Sequence, residues 1–183
     1  MRFFGRFGTA PPVDDYKTMV EQGYANGVPM GGTLKSGSGA PSFTVWASKG
    51  PRELDGNLDR IQIIKSWLDA SGEPQDQVYD VVWSDNRKVD ARGKVPAVGN
   101  TVDLKTATFT NSIGATELKG SWTDPTFDAS QGAVYYVRVI QIPTPRWSTY
   151  DAVRANLPLQ DGVASTIQER AWSSPIWYTP AKP

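Results

Sequence analysis

The stretch GAVYYVRVIQI, residues 132–142, decides the fold. Its residues are mostly β-branched or aromatic, and these types favour a strand. Apolar residues fall on both of its faces, which is typical of a strand that is covered on both sides. Pro143 and Pro145 follow, and they end the strand because proline cannot donate a backbone hydrogen bond. We therefore predict a central strand over residues 132–142.

Upstream, residues 58–85 predict a β-hairpin with Gly72 and Pro74 at its turn. The first arm is ambiguous, because the spacing of its isoleucine and leucine residues also matches one face of a helix. The second arm is β-branched and aromatic, and turn residues separate the two arms. Both arms are therefore predicted as strands.

Other segments complete the fold prediction. Strands are predicted for residues 42–48, 101–110, 116–122 and 174–180. About seven strands at short spacing, together with two short helices, predict a mainly β protein. The predicted architecture is an antiparallel β-sandwich of the immunoglobulin-like kind.

The N-terminal segment is predicted to be less regular. Residues 13–27 predict a helix with Asp14 as its N-cap and with Tyr16, Met19 and Val20 on one face. Residues 1–12 mix aromatic residues, glycine and proline, and their apolar residues show neither a helical nor a strand periodicity. A linker rich in glycine, serine and proline follows the helix.

The second predicted helix and the last strand lie near the C-terminus. Residues 148–157 predict the helix, with Ser148 or Thr149 as its cap. In the last strand, Trp172 is expected to point inward with Ile176 and Tyr178, if Pro175 occupies a small bulge or an edge position. Trp177 falls on the opposite side. We expect this strand to pack in the core or against another domain, and an exposed tryptophan platform that stacks on sugars is the alternative.

Composition excludes several classes of site. The 183 residues include 19 basic and 19 acidic side chains, so bulk charge does not favour nucleic acid. No apolar run is long enough to span a bilayer. Histidine and cysteine are absent, which excludes ordinary zinc sites and Ser-His-Asp or Cys-His catalysis. We expect no cofactor, no catalytic residue and no metal ligand in this chain.

Two oxygen-based alternatives remain open. Three carboxylates flank the first hairpin arm (Asp55, Asp59 and Asp69), and we expect them to cap turns or to pair with Arg60 or Lys65 rather than to catalyse. A loop carries Asp85, Asn86, Asp90 and Gly93, which could bind calcium, but its spacing departs from the EF-hand and its basic residues oppose a cation. A solvated loop is the simpler interpretation.

Arginine and tryptophan residues supply the candidate contacts. Arg138 lies inside the central strand, where a guanidinium needs a partner, and a salt bridge with Asp80 or Glu169 is expected. Contact with a neighbouring domain or an anion is the functional alternative. The candidate residues for such contacts are Arg138, Arg146, Arg170, Trp147 and Trp172.

Five stretches also carry a family resemblance: GVPMGG, GNLDRIQIIKSWLD, VYDVVWS, YYVRVIQIPTPRWSTYDA and QERAWSSPIWYTP. In their residues and in their order along the chain, these stretches resemble the C-terminal region of bacterial family 3604 of the domains of unknown function, from about Gly23 to Pro180. Members of that family are several-fold longer. Their upstream part carries a histidine-rich metal-binding motif like that of the PHP (polymerase and histidinol phosphatase) proteins.

The resemblance implies a metallohydrolase-like core followed by a β-sandwich, in a periplasmic or exported protein. The family's metal ligands have no positions in this chain, because it contains no histidine. Residues 1–34 are then expected to be a remnant of the upstream domain, in a truncated gene or an excised fragment, and residues 35–183 the sandwich. The expected function is a non-catalytic sandwich that packs on the missing metallohydrolase-like domain. A free-standing carbohydrate-binding module, an enzyme that uses carboxylates alone and a homo-oligomer through exposed apolar surface remain alternatives.

Overall fold

The computed structural model describes residues 1–35, 37–53 and 55–181. Two helices are formed by these residues, α1 (Tyr16–Asn26) and α2 (Trp147–Arg154). The strands are β1 (Arg2–Phe7), β2 (Val28–Pro29), β3 (Thr33–Leu34), β4 (Pro41–Ser48), β5 (Leu58–Leu68), β6 (Pro74–Trp83), β7 (Glu117–Thr123), β8 (Ala133–Gln141), β9 (Thr144–Pro145), β10 (Thr166–Ile167), β11 (Arg170–Trp172) and β12 (Ile176–Tyr178). The fold is therefore mainly β with two helices, as predicted.

Sheet A contains four antiparallel strands in the order β2-β1-β4-β7. Its longest pairings join β4 to β1 on one side and to β7 on the other, with Phe3 opposite Val45 and Phe43 opposite Trp122. Strand β1 thus lies inside the sheet, between β2 and β4.

Sheet B contains six strands in the order β3-β12-β8-β5-β6, and β11 also pairs with β8. The hairpin of β5 and β6 and the central position of β8 are both confirmed. Gly72 occupies the hairpin turn with a φ of 84°, a left-handed conformation that glycine adopts without strain. The pairings are antiparallel except that of β12 with β3. A separate two-stranded ladder joins β9 and β10.

The two sheets enclose one apolar core, which confirms the predicted antiparallel sandwich. Every second residue of β8 faces this core, and Tyr135 and Val137 are completely buried there. Sheet A contributes Phe3, Phe43, Val45 and Leu118, whereas sheet B adds Ile61, Ile63 and Ile176. Burial of this apolar area is the main stabilising contribution to the fold.

Helix α1 covers the outer face of sheet A. Phe4 and Trp46 point out of the sheet and form a second buried cluster with Met19 of the helix. The N-cap is Asp15, whose side chain accepts a hydrogen bond from the Thr18 backbone N–H at 2.7 Å, so the predicted cap at Asp14 was wrong by one residue. Sheet A is therefore apolar on both sides.

Other differences from the sequence predictions concern local structure. The predicted strand 101–110 is a series of turns with one isolated bridge, between Asp103 and Thr108. Helix α2 follows Arg146, so the predicted cap at Ser148 or Thr149 was wrong, and the Arg146 side chain makes no capping hydrogen bond. The predicted linker 27–42 contains β2, β3 and the start of β4, and its Ser36 lies outside the described residues.

The N-terminal segment shares the sandwich with the rest of the chain. Residues 1–12 show no regular pattern in the sequence and no strand was predicted there, yet β1 pairs with β4 over six residues and supplies Phe3 to the core. Residues on both sides of position 34 therefore contribute to sheet A, and the division of the chain into an upstream remnant (1–34) and a sandwich (35–183) stays a prediction. Neither helix among the described residues has the length and hydropathy that a membrane crossing needs.

Candidate functional site

The C-terminal strands β11 and β12 place two tryptophans on the outer face of sheet B. Trp172 lies opposite Arg138 on β8 and Trp177 lies opposite Val134, and paired residues point to the same side of a sheet. Between them on that side lies Tyr136. Trp172 is 56% exposed and Trp177 is 49% exposed, whereas Ile176 on the same strand is completely buried.

A one-residue bulge explains why both tryptophans face outward. Five residue steps separate Trp172 from Trp177, but their partners on β8 are only four steps apart. The extra residue is accommodated around Pro175, and Ser173 spans the gap by exchanging two hydrogen bonds with Val137, at 2.9 and 3.0 Å. The predicted inward position of Trp172 was therefore wrong: the bulge allowed for at Pro175 is present, but its extra residue places Trp172 on the same side as Trp177 and opposite to Ile176.

We call the surface formed by Val134, Tyr136, Arg138, Trp172 and Trp177 the outer aromatic face. At the usual rise of a strand, its two tryptophans lie about 14 Å apart along β8. Next to Trp177 lies a mostly apolar depression of about 390 Å³, which Leu68 and Trp67 also line. The side chain of Leu68 is 59% exposed. A second molecule can thus reach the apolar side chains of Trp177 and Leu68 here.

Arg138 does not form the predicted salt bridge. Its Nε donates to the Gln62 side-chain oxygen at 2.8 Å, and the Gln62 amide donates to Asp80 at 2.7 Å. Asp80 is in turn paired with Arg60 at 3.2 Å. Among the described residues, no carboxylate lies within ion-pair distance of Arg138. Its guanidinium keeps donors for a ligand or a partner.

The five predicted contact residues divide between two places. Arg138, Arg170 and Trp172 share the outer side of sheet B, where Arg170 lies opposite Ile140. Trp147 lies at the start of α2, next to Arg146. Trp177 and Tyr136 were not predicted as contact residues, although the alternation of Ile176, Trp177 and Tyr178 did put Trp177 outside.

The surface beside α2 forms a second candidate site. Trp147 is 68% exposed, and it lines a groove of about 650 Å³ with Tyr150, Asp151 and Glu53. An adjoining cavity of about 350 Å³ shares Glu53 and Tyr150 and is also lined by Phe109. Aromatic rings and carboxylates therefore meet along one groove.

The carboxylates considered for catalysis are engaged by the protein itself. Asp59 is 2% exposed and accepts hydrogen bonds from Arg87 at 2.6 Å and from Arg60 at 3.1 Å. Asp69 caps the hairpin turn, and the Ser71 hydroxyl is the main cause that lowers the pKa of Asp69. Asp55 accepts from the Arg52 backbone N–H. Of the expected partners, Arg60 pairs with Asp59, whereas Lys65 pairs elsewhere.

The loop considered for calcium is likewise organised by its own hydrogen bonds. Asp90 accepts the backbone N–H groups of Arg92 and Lys94, both at 2.9 Å, and the Lys94 N–H is the main cause that lowers its pKa. The Asp85 carboxylate accepts from Ser84 and Gly114. Within the described part of the chain, no group of three or more acidic side chains has the geometry of a metal site.

Comparisons with known proteins bear on the whole chain. The model of a family described as Protein of unknown function (DUF3604) matches residues 1–180. The match includes β1 and the first half of α1, which lie outside the span expected from the sequence stretches. No curated protein and no solved structure matches the chain.

Proposed function

The chain belongs to the family of proteins of unknown function DUF3604, and we propose that it is a non-catalytic β-sandwich that binds a protein domain through its outer aromatic face. The observation that carries this proposal is the exposure of Trp172 and Trp177 on one side of sheet B. Contiguous exposed apolar patches on a protein often mark a surface that binds another molecule.

The composition of the outer aromatic face supports a protein partner. Trp, Tyr and Arg are the residue types that contribute most to protein–protein affinity. Trp172, Tyr136 and Arg138 provide these types side by side on β11 and β8. The free donors of Arg138 would give such an interface directional contacts at its centre.

The partner that fits the family best is a metallohydrolase-like domain. The resemblance described above implies that longer members carry a PHP-like domain upstream of the sandwich. Among the described residues, α1 covers the outer face of sheet A, whereas Trp172 and Trp177 on the outer face of sheet B stay about half exposed. A domain that packs on sheet B would bury the second face in the same way.

The test uses the PHP-like part of a full-length family member, produced as a separate protein. Titration calorimetry should detect its binding to the chain. Because hot-spot residues contribute about 2 kcal/mol or more, Trp172→Ala and Trp177→Ala should each weaken binding roughly 30-fold. Trp147→Ala is the matched control, since Trp147 is at least as exposed as the other two tryptophans but lies on α2.

The outcomes separate the possible partners. Equal affinity of all three variants, or no binding, would contradict the proposal. Sedimentation of the isolated chain tests the other occupant, a second copy. A dimer of the native chain that becomes a monomer in Trp172→Ala would assign the face to self-association instead.

The groove beside α2 favours a second candidate function, the binding of an oligosaccharide. A sugar offers C–H groups to aromatic rings such as Trp147 and Tyr150 and hydroxyl groups to carboxylates such as Glu53 and Asp151. Binding of a panel of soluble oligosaccharides should then be lost in Trp147→Ala and kept in Trp172→Ala. The reverse pattern would transfer sugar binding to the outer aromatic face.

A further inference from the structure

A buried lysine and a buried aspartate connect the two sheets. Lys65 points inward from β5 of sheet B, and Asp124 follows β7 of sheet A. The Lys65 Nζ lies 2.7 Å from the Asp124 Oδ2, and the two side chains are 3% and 0% exposed. Each atom of the pair is therefore held in place and kept away from solvent.

Neighbouring groups fix the orientation of both side chains. The Tyr135 hydroxyl donates to the Asp124 Oδ2 at 2.7 Å, and the Thr126 backbone N–H donates to the Oδ1 at 2.9 Å. The Lys65 Nζ also donates to the Thr126 carbonyl at 2.8 Å. On its other side, the Nζ lies 5.2 Å from the centre of the Trp67 ring.

We propose that Lys65 and Asp124 condense after folding to form an amide bond that joins sheet A covalently to sheet B. The Nζ bonds to the carboxyl carbon of Asp124, and the bond from that carbon to Oδ2 breaks. Two of the three ammonium protons leave with Oδ2 as one water molecule, and the third stays on the amide nitrogen. No oxidant, metal or other reactant takes part.

Tyr135 is the proton donor in this step. Its hydroxyl touches the oxygen that leaves, so it can pass a proton to Oδ2 and take one from the attacking nitrogen. Burial is the main cause that raises the pKa of Tyr135 above its ordinary value, and the hydrogen bond to Asp124 is the second. The hydroxyl is therefore protonated before the condensation and after it.

The fold supplies the conditions that condensation needs. Groups held at reacting distance in one geometry behave as if each were present at about 10⁵ to 10⁸ M. Removing two charges from an apolar interior relieves the cost of their desolvation. The product also keeps its hydrogen bonds, because the amide N–H donates to the Thr126 carbonyl and the remaining Oδ1 accepts from the Thr126 N–H.

Other ion pairs of the chain lack these conditions and serve as internal controls. Lys17 and Glu21 are 3.8 Å apart and are 83% and 64% exposed, so water competes for both groups. Arg87 and Asp59 are buried and close, but a guanidinium stays protonated and is not a nucleophile. The bond is therefore expected at one pair of residues.

The test is the intact mass of the purified, denatured full chain. The mass should be lower than the sequence mass by one water molecule. Peptide mapping should find the segment with Lys65 joined to the segment with Asp124, and no link between Lys17 and Glu21. Lys65→Arg keeps the positive charge but lacks the nucleophile, so this variant should show the full sequence mass.

Two results would overturn the proposal. One is the full sequence mass in a native chain that melts cooperatively and has been incubated after folding. The other is loss of water that persists in Lys65→Arg, because an aspartate before glycine, as at Asp55 and Asp161, can lose water by forming a succinimide. Tyr135→Phe should slow the appearance of the lighter mass, and an unchanged rate would remove the role given to its hydroxyl.

Discussion

The outer face of sheet A and the outer face of sheet B both carry large aromatic side chains, but within the described part of the chain α1 covers the first and no helix covers the tryptophans of the second. On sheet A, Phe4 is 3% exposed and Trp46 is 7% exposed under α1. On sheet B, Trp172 and Trp177 are about half exposed. Similar residues thus serve the fold on one side and remain accessible on the other.

Close packing against α1 explains the difference. A Cβ at Gly23 would lie 2.5 Å from the Phe4 ring, so glycine lets the helix approach the sheet. Tyr16 meets Trp46 edge to face, and the Lys119 Nζ lies 4.2 Å from the centre of the Trp46 ring. No element among the described residues plays this part for Trp172. The comparison teaches that the described residues bury the large aromatic side chains on one outer face and leave those on the other accessible.

Deleting residues 171–183 should have the largest effect, because the same strands form the outer aromatic face and the core. Ile176 and Tyr178 are 0% and 4% exposed, and a residue buried in this way contributes about 2–5 kcal/mol. A domain has only about 5–15 kcal/mol of stability in total, so the shortened chain should show no cooperative thermal transition. Circular dichroism during heating checks this.

A shorter deletion, of residues 181–183, is the control for that experiment, because it leaves β11 and β12 in place. If the long deletion melted within a few degrees of the full chain, β11 and β12 would be additions to a complete sandwich. The outer aromatic face would then be separable from the core.

Phe4→Ala and Trp177→Ala compare the two faces directly. Truncation of Phe4 should cost about 3–5 kcal/mol, because it leaves a cavity under α1. Truncation of Trp177 should cost less than about 1 kcal/mol, since half of the side chain is already in water. Urea denaturation of both variants measures the two costs, and equal costs would mean that Trp177 belongs to the core.

The sequence predicted the parts of the fold in which local pattern and tertiary environment agree. Strand β8 and the β5–β6 hairpin are examples, since their residue types suit a strand wherever it lies. Strand β1 was missed because Phe3 faces the core while Phe4 faces α1, so its two sides do not alternate in polarity. Only the position of α1 explains that pattern.

The segment 101–110 failed as a strand for a local reason. Asn100 accepts the Val102 backbone N–H and Asp103 accepts the Lys105 backbone N–H, both at 2.9 Å. Such side-chain bonds satisfy the backbone within turns and compete with the pairing of strands. The threonines of this segment suggested a strand, but the neighbouring Asn and Asp residues determined its structure.

The candidate site could be predicted only in part. Alternation within β12 put Trp177 outside, but the phase of Trp172 depends on the bulge at Pro175, and a bulge inserts one residue without changing composition. The partner of Arg138 depends on the register of β5 against β8, which brings Gln62 opposite it. Register follows from the packing of whole sheets.

Arg138→Met tests the uncovered outer face of sheet B with a smaller expected loss of stability. Its hydrogen bond to Gln62 lies on the uncovered face, so losing it should cost less than about 1 kcal/mol. Arg87→Met is the control, because it removes the closer of the two guanidinium groups that pair with buried Asp59 and leaves Arg60 as the other, at a cost of about 1.5–3 kcal/mol. Denaturant midpoints of the two variants measure the difference, and similar shifts would indicate a buried partner for Arg138.

The smallest expected effect is a pH dependence confined to the covered face. The hydrogen bond from the Thr18 backbone N–H is the main cause that lowers the pKa of Asp15 below its ordinary 3.8. A carboxylate whose pKa is lowered on folding stabilises the protein at pH values above its pKa in the unfolded chain. This stabilisation is lost as the pH falls through its pKa in the folded protein. Helix α1 should therefore loosen from sheet A in acid, and amide hydrogen exchange of α1 should accelerate there.

Asp15→Asn isolates this contribution, because asparagine also caps a helix but has no charge to lose. Other carboxylates titrate over the same range, among them Asp69 and Asp128, whose pKa values are also lowered. They remain in the variant, so their effects cancel when the two proteins are compared. Exchange in β8, beneath the outer aromatic face, should respond to acid equally in both proteins. If amide exchange in α1 depended on pH in the same way in the native chain and in Asp15→Asn, the packing of α1 on sheet A would not depend on the charge of Asp15.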